Sequence, residues 1–123
     1  MCSSFEIPFV QSDNDKYIRA VRLNLIRRNG DISACAFKSN RGGVSVTRSN
    51  SALLDRALLY MKLFFEGKMA VFPVALCAKE HIYEKHSPSL GHNLHHWELY
   101  GDSDLSPLSD EQIDALINAA VFM

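Results

Sequence analysis

The stretch SNSALLDRALLYMKLFFEG (residues 49–67) is the strongest structural signal in the chain, because its apolar residues recur with the period of an α-helix. The predicted buried face consists of Leu53, Leu54, Ala57, Leu58, Met61, Phe64 and Phe65. Asn50 or Ser51 can cap the N-terminus, and Gly67 suits a left-handed residue after the last turn. We therefore predict a central helix over about residues 51–66 that anchors the hydrophobic core.

A second helix is predicted at the C-terminus, over about residues 110–121. Ser109 and Gln112 have the spacing of a capping box, and acidic residues occupy the first turn, where the helix dipole favours them. One apolar stripe follows at helical spacing, formed by Ile113, Leu116, Ile117, Ala120 and Val121. This pattern indicates an amphipathic helix that packs on the same core.

Short segments with β-forming composition occupy most of the remaining chain. Residues 17–21 favour a strand, although a helix also fits their periodicity. Asn29 and Gly30 form the best turn signal, and residues 31–37 and 44–48 then read as a hairpin. Further strands are expected at 5–10, 69–74, 81–86 and 95–100, with one helical turn at 75–80. The pattern predicts a single α+β domain over residues 1–123, with a mainly antiparallel sheet of five or six short strands packed by the two helices.

The composition limits the class of protein. The chain has 123 residues, of which 47% are hydrophobic and 22% charged, as expected for one globular domain. Its net charge of −1 gives no strong nucleic-acid signal and no signal for anionic membranes. We find no apolar stretch of membrane-spanning length, no N-terminal export signal, and an odd number of cysteines, three, without close spacing. We therefore expect a cytoplasmic protein with reduced thiols.

Histidines cluster in GHNLHHWELYG (residues 91–101), which raises the question of a metal site. Cys77, His81, His92 and His95 are side chains of the kinds that bind zinc. Their spacing matches no zinc-finger pattern, and consecutive histidines on a strand point to opposite faces. We therefore assign no metal ligands from the sequence, and a zinc-binding domain stays an alternative.

Acid–base chemistry is a second possibility for the same segment. His96 and Glu98 are two residues apart, so on a strand they share a face. An imidazole beside a carboxylate can act as an acid, a base or an orienting donor near neutral pH. The alternative is a polar pair on the solvated side of the sheet. Ser45, in the glycine-flanked segment GGVSV, is the candidate nucleophile, although no base is close to it in sequence.

Three segments together resemble a family of small uncharacterised bacterial proteins. They are KYIRAVR (residues 16–22), NGDISACAFKSNRGGVSVTR (residues 29–48) and the run from LHHWELYG to LSDEQIDALINAA (residues 94–120). The positions that carry the resemblance are Arg19, Ser33, Phe37, Lys38, Gly43, Ser45, Arg48, His96 and Glu98. The family has no assigned activity, so the resemblance implies the extent of the domain more than its function.

The order of an early arginine, a serine-bearing strand and a late glutamate is also similar to ADP-ribosyltransferase-like folds, including the RES type. This similarity implies that Arg19 holds dinucleotide phosphates, the Ser45 strand shapes the nicotinamide pocket and Glu98 stabilises the developing oxocarbenium ion. The implied catalytic set is Arg19, Ser45, His96 and Glu98, and the implied ligand-binding set is Arg19, Lys38 and Arg48. We expect no resident cofactor.

Three functional hypotheses follow. The chain lacks a specific catalytic motif, which favours an accessory or interaction module with a protein partner, of the kind found in toxin–antitoxin or phage-defence systems. The first alternative is an ADP-ribosyltransferase-like enzyme that handles NAD or another nucleotide. The second alternative is the zinc-binding domain. Whether the chain is an enzyme at all stays open at the level of sequence.

Overall fold

A computed structural model describes residues 4–39 and 42–123. The strands are β1 (Lys16–Val21), β2 (Val44–Ser49), β3 (Lys68–Pro73), β4 (Tyr83–His86), β5 (His96–Tyr100) and β6 (Val121–Phe122). The helices are α1 (Leu54–Phe64), α2 (Ala75–Lys79) and α3 (Asp110–Ala119), with short 3-10 helices at Leu23–Leu25 and Ala34–Phe37. All strands join one antiparallel sheet in the order β4-β5-β2-β1-β3-β6. The predicted α+β class is confirmed.

Helices cover both faces of this sheet. On one face α1 packs over β1 and β3, where Ile18, Met69 and Val71 meet the buried side of the helix. On the other face α2, α3 and the 3-10 helix Ala34–Phe37 enclose the larger core, which includes Tyr17 and Phe72. Alternation along each strand supplies both cores from the same sequence, because successive side chains point to opposite faces.

The two predicted helices form, with one difference that matters for the site. α3 begins after Ser109, and the Ser109–Gln112 capping box is present as predicted. α1 begins later than predicted, and the Asn50 side chain accepts the Leu53 N–H at 2.8 Å just ahead of it. Phe64 and Phe65 were expected in the core but are 46% and 48% exposed. The prediction is wrong there because the end of α1 overhangs a groove and not the apolar part of the sheet.

The predicted hairpin over residues 31–48 is wrong. Residues Ala34–Phe37 form a 3-10 helix, and the Ser33 side chain accepts the Cys35 N–H at its start. Small residues fit a 3-10 turn as well as a strand, and the serine cap together with burial of Phe37 favours the turn. β2 instead pairs with β1 and β5.

Other segments agree in part with the predictions made from the sequence. Residues 17–21 lie in a strand, which settles the choice between strand and helix. Gly30 has φ of +90° in the turn that joins the bridged residues Ile26 and Ile32. Residues 5–10 form only an isolated bridge, between Phe5 and Asn93, where a strand was expected. Within the described ranges, no helix has the length and apolar character needed to cross a membrane.

Candidate functional site

The sheet face that carries α1 is divided into an apolar half and a polar half. Over β1 and β3 it is apolar and lies under the helix. Over β2 and β5 it carries two cross-strand polar pairs, Ser45 opposite Glu98 and Thr47 opposite His96. His96 and Glu98 therefore share a face, as the pleat predicted. Thr47 contacts α1, whereas Ser45 is exposed and His96 and Glu98 are only half-buried, so most of this polar half is available for a site.

A groove of about 830 Å³ lies between this polar half and the C-terminal end of α1. It forms because β1 and β2 separate: their pairing ends at Ile18 and Thr47, although both strands continue. The polar residues that line it are Arg19, Arg22, Ser45, Thr47, Glu66, Ser89, Asn93 and His96. The apolar residues that line it are Ala20, Val46, Tyr60, Met61, Phe64 and Phe65. A volume of this size is typical of small-molecule sites.

Arg19 bridges the gap between the separated strands. Alternation places its side chain on the face opposite His96, with Tyr17 and Val21, yet it reaches the groove through the gap. Its Nε donates to the Ala36 carbonyl at 3.1 Å, and its Nη1 donates to the Ser45 carbonyl at 2.8 Å. Burial lowers the pKa of Arg19 below its usual value. Much of its donor capacity is therefore engaged by the main chain.

Arg22 is the groove cation that the sequence reading missed. It follows β1, its side chain is exposed, and no hydrogen bond or ion pair to it is found among the described residues. A guanidinium with unused donors can bind a carboxylate or phosphate in bidentate fashion. The only signal in the sequence was its place in a basic run that also contains Arg19, Arg27 and Arg28.

The histidine cluster ties down the loop of residues 87–95, between β4 and β5. His96 Nδ1 lies 2.8 Å from the Ser87 carbonyl, and His86 Nε2 lies 2.8 Å from the Leu94 carbonyl. A carbonyl only accepts, so each of these nitrogens must carry the proton. In neutral His96 the other nitrogen, Nε2, is then an acceptor. The side chain that the sequence singled out is thus oriented by its loop and lines the groove.

Asn93 fixes the same loop against the sheet. Its Nδ2 donates to Thr47 Oγ1 at 2.8 Å, and its Oδ1 accepts the His95 N–H at 3.0 Å. Thr47 in turn donates to Met61 Sδ of α1 at 3.1 Å. The buried amide therefore links the loop, the sheet and α1 into one wall of the groove. An asparagine in a loop carries no sequence signal that would reveal this role.

Three of the four residues implied as catalytic line the groove, and the fourth lies beside it. Arg19, Ser45 and His96 belong to the lining. Glu98 lies directly across from Ser45 and accepts the Tyr100 hydroxyl at 3.0 Å. That hydrogen bond is the main reason the pKa of Tyr100 is raised. The Ser45 side chain is exposed, whereas Glu98 is half-buried.

The other two residues implied as ligand-binding lie outside the groove. Lys38 is exposed at the end of the 3-10 helix Ala34–Phe37. Arg48 is buried, and its Nε donates to Asp15 at 2.8 Å while its Nη2 donates to the Ser12 carbonyl at 3.0 Å. Its guanidinium also lies 5.4 Å from the ring centre of Trp97. Arg48 therefore contacts the protein interior on the side of the sheet away from the groove.

The structure does not bring the candidate zinc ligands together. Cys77 lies in the core, where burial raises its pKa, whereas His81 and His92 are exposed. His95 is buried against the N-terminal segment. Among residues 4–39 and 42–123, no group of three or more His, Cys, Asp or Glu side chains could hold a metal ion.

Comparison with protein-family models, with curated proteins and with solved structures finds no match for this chain. The resemblance to small bacterial proteins and to ADP-ribosyltransferase-like folds therefore stays a prediction.

Proposed function

We propose that this protein is a binding module for a small anionic molecule with a planar ring, of the nucleotide class, and that the groove beside α1 is its binding site. The observation that carries the proposal is that one groove combines a cation, polar side chains and exposed aromatic rings. It holds a cation with unused donors, Arg22, polar groups such as Ser45 and His96, and the exposed rings of Phe64 and Phe65.

The cationic end suits a phosphate group. Arg22 offers a guanidinium fork, and Arg19 adds a second positive charge at the base of the groove. The Ser45 hydroxyl is exposed beside them and can donate a further hydrogen bond. Glu66, also in the lining, can accept from sugar hydroxyls, as acidic residues do in dinucleotide sites.

The aromatic end suits a base. Phe64 and Phe65 are 46% and 48% exposed at the rim, which is costly for two large apolar rings unless a partner covers them. Stacking of a planar ring on an aromatic side chain contributes about 1–3 kcal/mol per base. His96 offers Nε2 as an acceptor for a ring amino group, because its Nδ1 is occupied by Ser87.

Titration calorimetry and thermal-shift measurements test this proposal with AMP, ADP, NAD and ADP-ribose, and separately with adenosine and inorganic phosphate. We expect the phosphate-bearing nucleotides to bind more tightly than adenosine. Arg22→Gln should weaken the binding of the nucleotides and leave the binding of adenosine unchanged. Arg28→Gln is the matched control, since Arg28 is exposed and lies outside the groove lining. Absence of binding at about 1 mM ligand, which corresponds to about −4 kcal/mol, would contradict the proposal.

A second candidate is self-association through the outer face of α1, which develops the interaction-module hypothesis. Leu59 and Leu63 are 58% and 47% exposed, and with Ile7 they border an apolar cleft of about 350 Å³. Asp55 lies in the first turn of the helix and Lys62 in the last. In an antiparallel pair of α1 helices, Asp55 of one copy would face Lys62 of the other, so the surface is complementary to itself.

Sedimentation velocity over a range of concentrations tests the second candidate. We expect a dimer that Leu59→Glu dissociates. Leu90→Glu, at a side chain that is 80% exposed outside this surface, should leave the dimer intact. A monomer at all concentrations would rule out self-association and leave the groove proposal unaffected.

A further inference from the structure

The N-terminal strap, residues 5–9, is attached to the loop that builds one wall of the groove. Four hydrogen bonds join residues 5–7 of the strap to residues 91–95 of the loop. The main-chain bonds are Phe5 N–H to the His92 carbonyl at 2.6 Å and Leu94 N–H to the Phe5 carbonyl at 3.1 Å. The Glu6 carboxylate accepts the Gly91 N–H at 2.7 Å, and the fourth bond joins His95 to Ile7.

His95 is the loop side chain that the strap packs around. It is 5% exposed and lies between two strap rings, with ring centres 4.1 Å from Phe9 and 5.2 Å from Phe5. Its Nε2 lies 2.8 Å from the Ile7 carbonyl and must donate, because a carbonyl only accepts. Its Nδ1 is buried and has no hydrogen-bond partner among the described residues. The site therefore fits a neutral imidazole.

A second proton on His95 would have to sit on Nδ1, where residues 4–39 and 42–123 provide no acceptor. The charged and titratable groups that face it are Asp15, Arg48 and His86, with Glu6 on the strap itself. Asp15 favours the charged imidazole and so raises the pKa of His95, but Arg48, which is paired with Asp15, lowers it. Burial is the main cause that lowers the pKa of His95 below its ordinary 6.5. Docking of the strap is therefore fully favourable above that value and weakens as the pH falls below it.

The loop connects the hydrogen bonds of the strap to the wall of the groove. Residues 91–95 include Asn93, which lines the groove and holds Thr47, and the loop leads directly into His96. The His95 N–H also donates to Asn93, so the imidazole and the wall residue are adjacent in one network. Release of the strap would remove four bonds from the loop that positions both wall residues.

We propose that the N-terminal strap and His95 form an acid-sensitive clamp, in which protonation of His95 releases residues 5–9 and loosens the loop wall of the groove. The part that concerns ligand affinity rests on the function proposed above. The release of the strap does not, because it follows from the contacts of His95 alone.

Hydrogen exchange with mass spectrometry on the full chain, at about pH 7.5 and pH 5.5 and corrected for intrinsic exchange, measures the release. We expect protection of the Phe5, Gly91 and Leu94 N–H groups, which donate across the strap contact, to fall by up to about tenfold per pH unit below the ordinary histidine value, while β1 and β3 stay protected. His95→Phe keeps an aromatic ring without a titrating nitrogen, so strap exchange should lose its pH dependence. His92→Gln, at an exposed histidine of the same loop, should behave like wild type.

Equal strap protection of the wild type at both pH values would overturn the clamp, and so would an unchanged pH response in His95→Phe. If His95→Phe does not fold, Phe9→Leu provides the second variant. Loss of the stacked ring should shift strap release to higher pH, and an unshifted release would contradict the proposal.

AMP affinity measured at the same two pH values tests the link to the groove. We expect weaker binding at the lower pH in wild type and His92→Gln, and a smaller change in His95→Phe. Strap release without any change in affinity would overturn the link while leaving the clamp. Absence of AMP binding at both pH values would instead count against the proposed function, and the exchange data would still decide the clamp.

Discussion

Arg48 and Asp15 form an ion pair inside the protein, with 2.8 Å between Nε and Oδ2 and side chains that are 9% and 1% exposed. Arg48 also lies over the rings of Tyr17 and Trp97 and donates to the Ser12 carbonyl. The pair therefore joins the segment before β1 to the centre of the sheet. Removal of one partner would leave the other charge buried and uncompensated.

We expect Asp15→Asn to lower the free energy of unfolding by about 3–5 kcal/mol. Urea denaturation measures it, with Asp13→Asn as the control because Asp13 is exposed two residues away. A loss below about 1 kcal/mol for Asp15→Asn would mean that the buried pair does not hold the segment.

Tyr17 should make the protein sensitive to alkali. Burial, followed by the hydrogen bond to Glu84, raises the pKa of Tyr17 far above the ordinary 10.0. The folded state therefore keeps this proton longer than the unfolded chain, so stability is complete below about pH 10 and falls as the pH rises above it. Urea midpoints at about pH 9 and pH 11 should differ more for wild type than for Tyr17→Phe. An equal fall in both proteins would assign the alkaline effect to other groups.

Gly67 holds the end of α1 close to β1, beside the rim of the groove. Its φ is +101°, and a Cβ there would overlap the Val21 carbonyl oxygen. Gly30 also has a positive φ, +90°, but a Cβ there would meet no atom within 4 Å. We expect Gly30→Ala to cost only the backbone strain of about 1–2 kcal/mol and Gly67→Ala to cost clearly more. Equal urea midpoints for the two variants would contradict the close approach at Gly67.

Gln112 should contribute more to stability than Ser109, its partner in the capping box. Ser109 accepts the Gln112 N–H, and Gln112 accepts the Ser109 N–H through Oε1. The Gln112 side-chain amide also donates to the Gly101, Glu80 and His81 carbonyls, which joins α3 to the ends of β5 and α2.

We expect Ser109→Ala to cost about 1 kcal/mol of unfolding free energy, as typical for an N-cap, and Gln112→Ala to cost about 2 kcal/mol or more. Ser103→Ala, at an exposed loop serine, is the control. If Ser109→Ala proves the more damaging substitution in urea denaturation, the bonds from Gln112 to the three carbonyls contribute little.

Part of the candidate site could be predicted from sequence. The pleat rule put His96 and Glu98 on one face, because alternation depends only on the strand itself. Ser45 was singled out beside its glycines, and it faces Glu98 across the β2–β5 pair. The roles of Arg22, Asn93 and Phe64 could not be predicted, since each depends on the groove that opens where β1 and β2 separate.

Local chemistry by itself determined α1, α3 and most of the strands. The spacing of leucines in α1 and the Ser109–Gln112 box in α3 act within a few residues, so they can be read directly from the chain. Tertiary structure decided which strand lies beside β2, why residues 34–37 turn into a 3-10 helix, and where the buried side chains of Arg48 and His95 find partners. Those outcomes depend on contacts between residues distant in sequence, whose energies only the packed fold brings together.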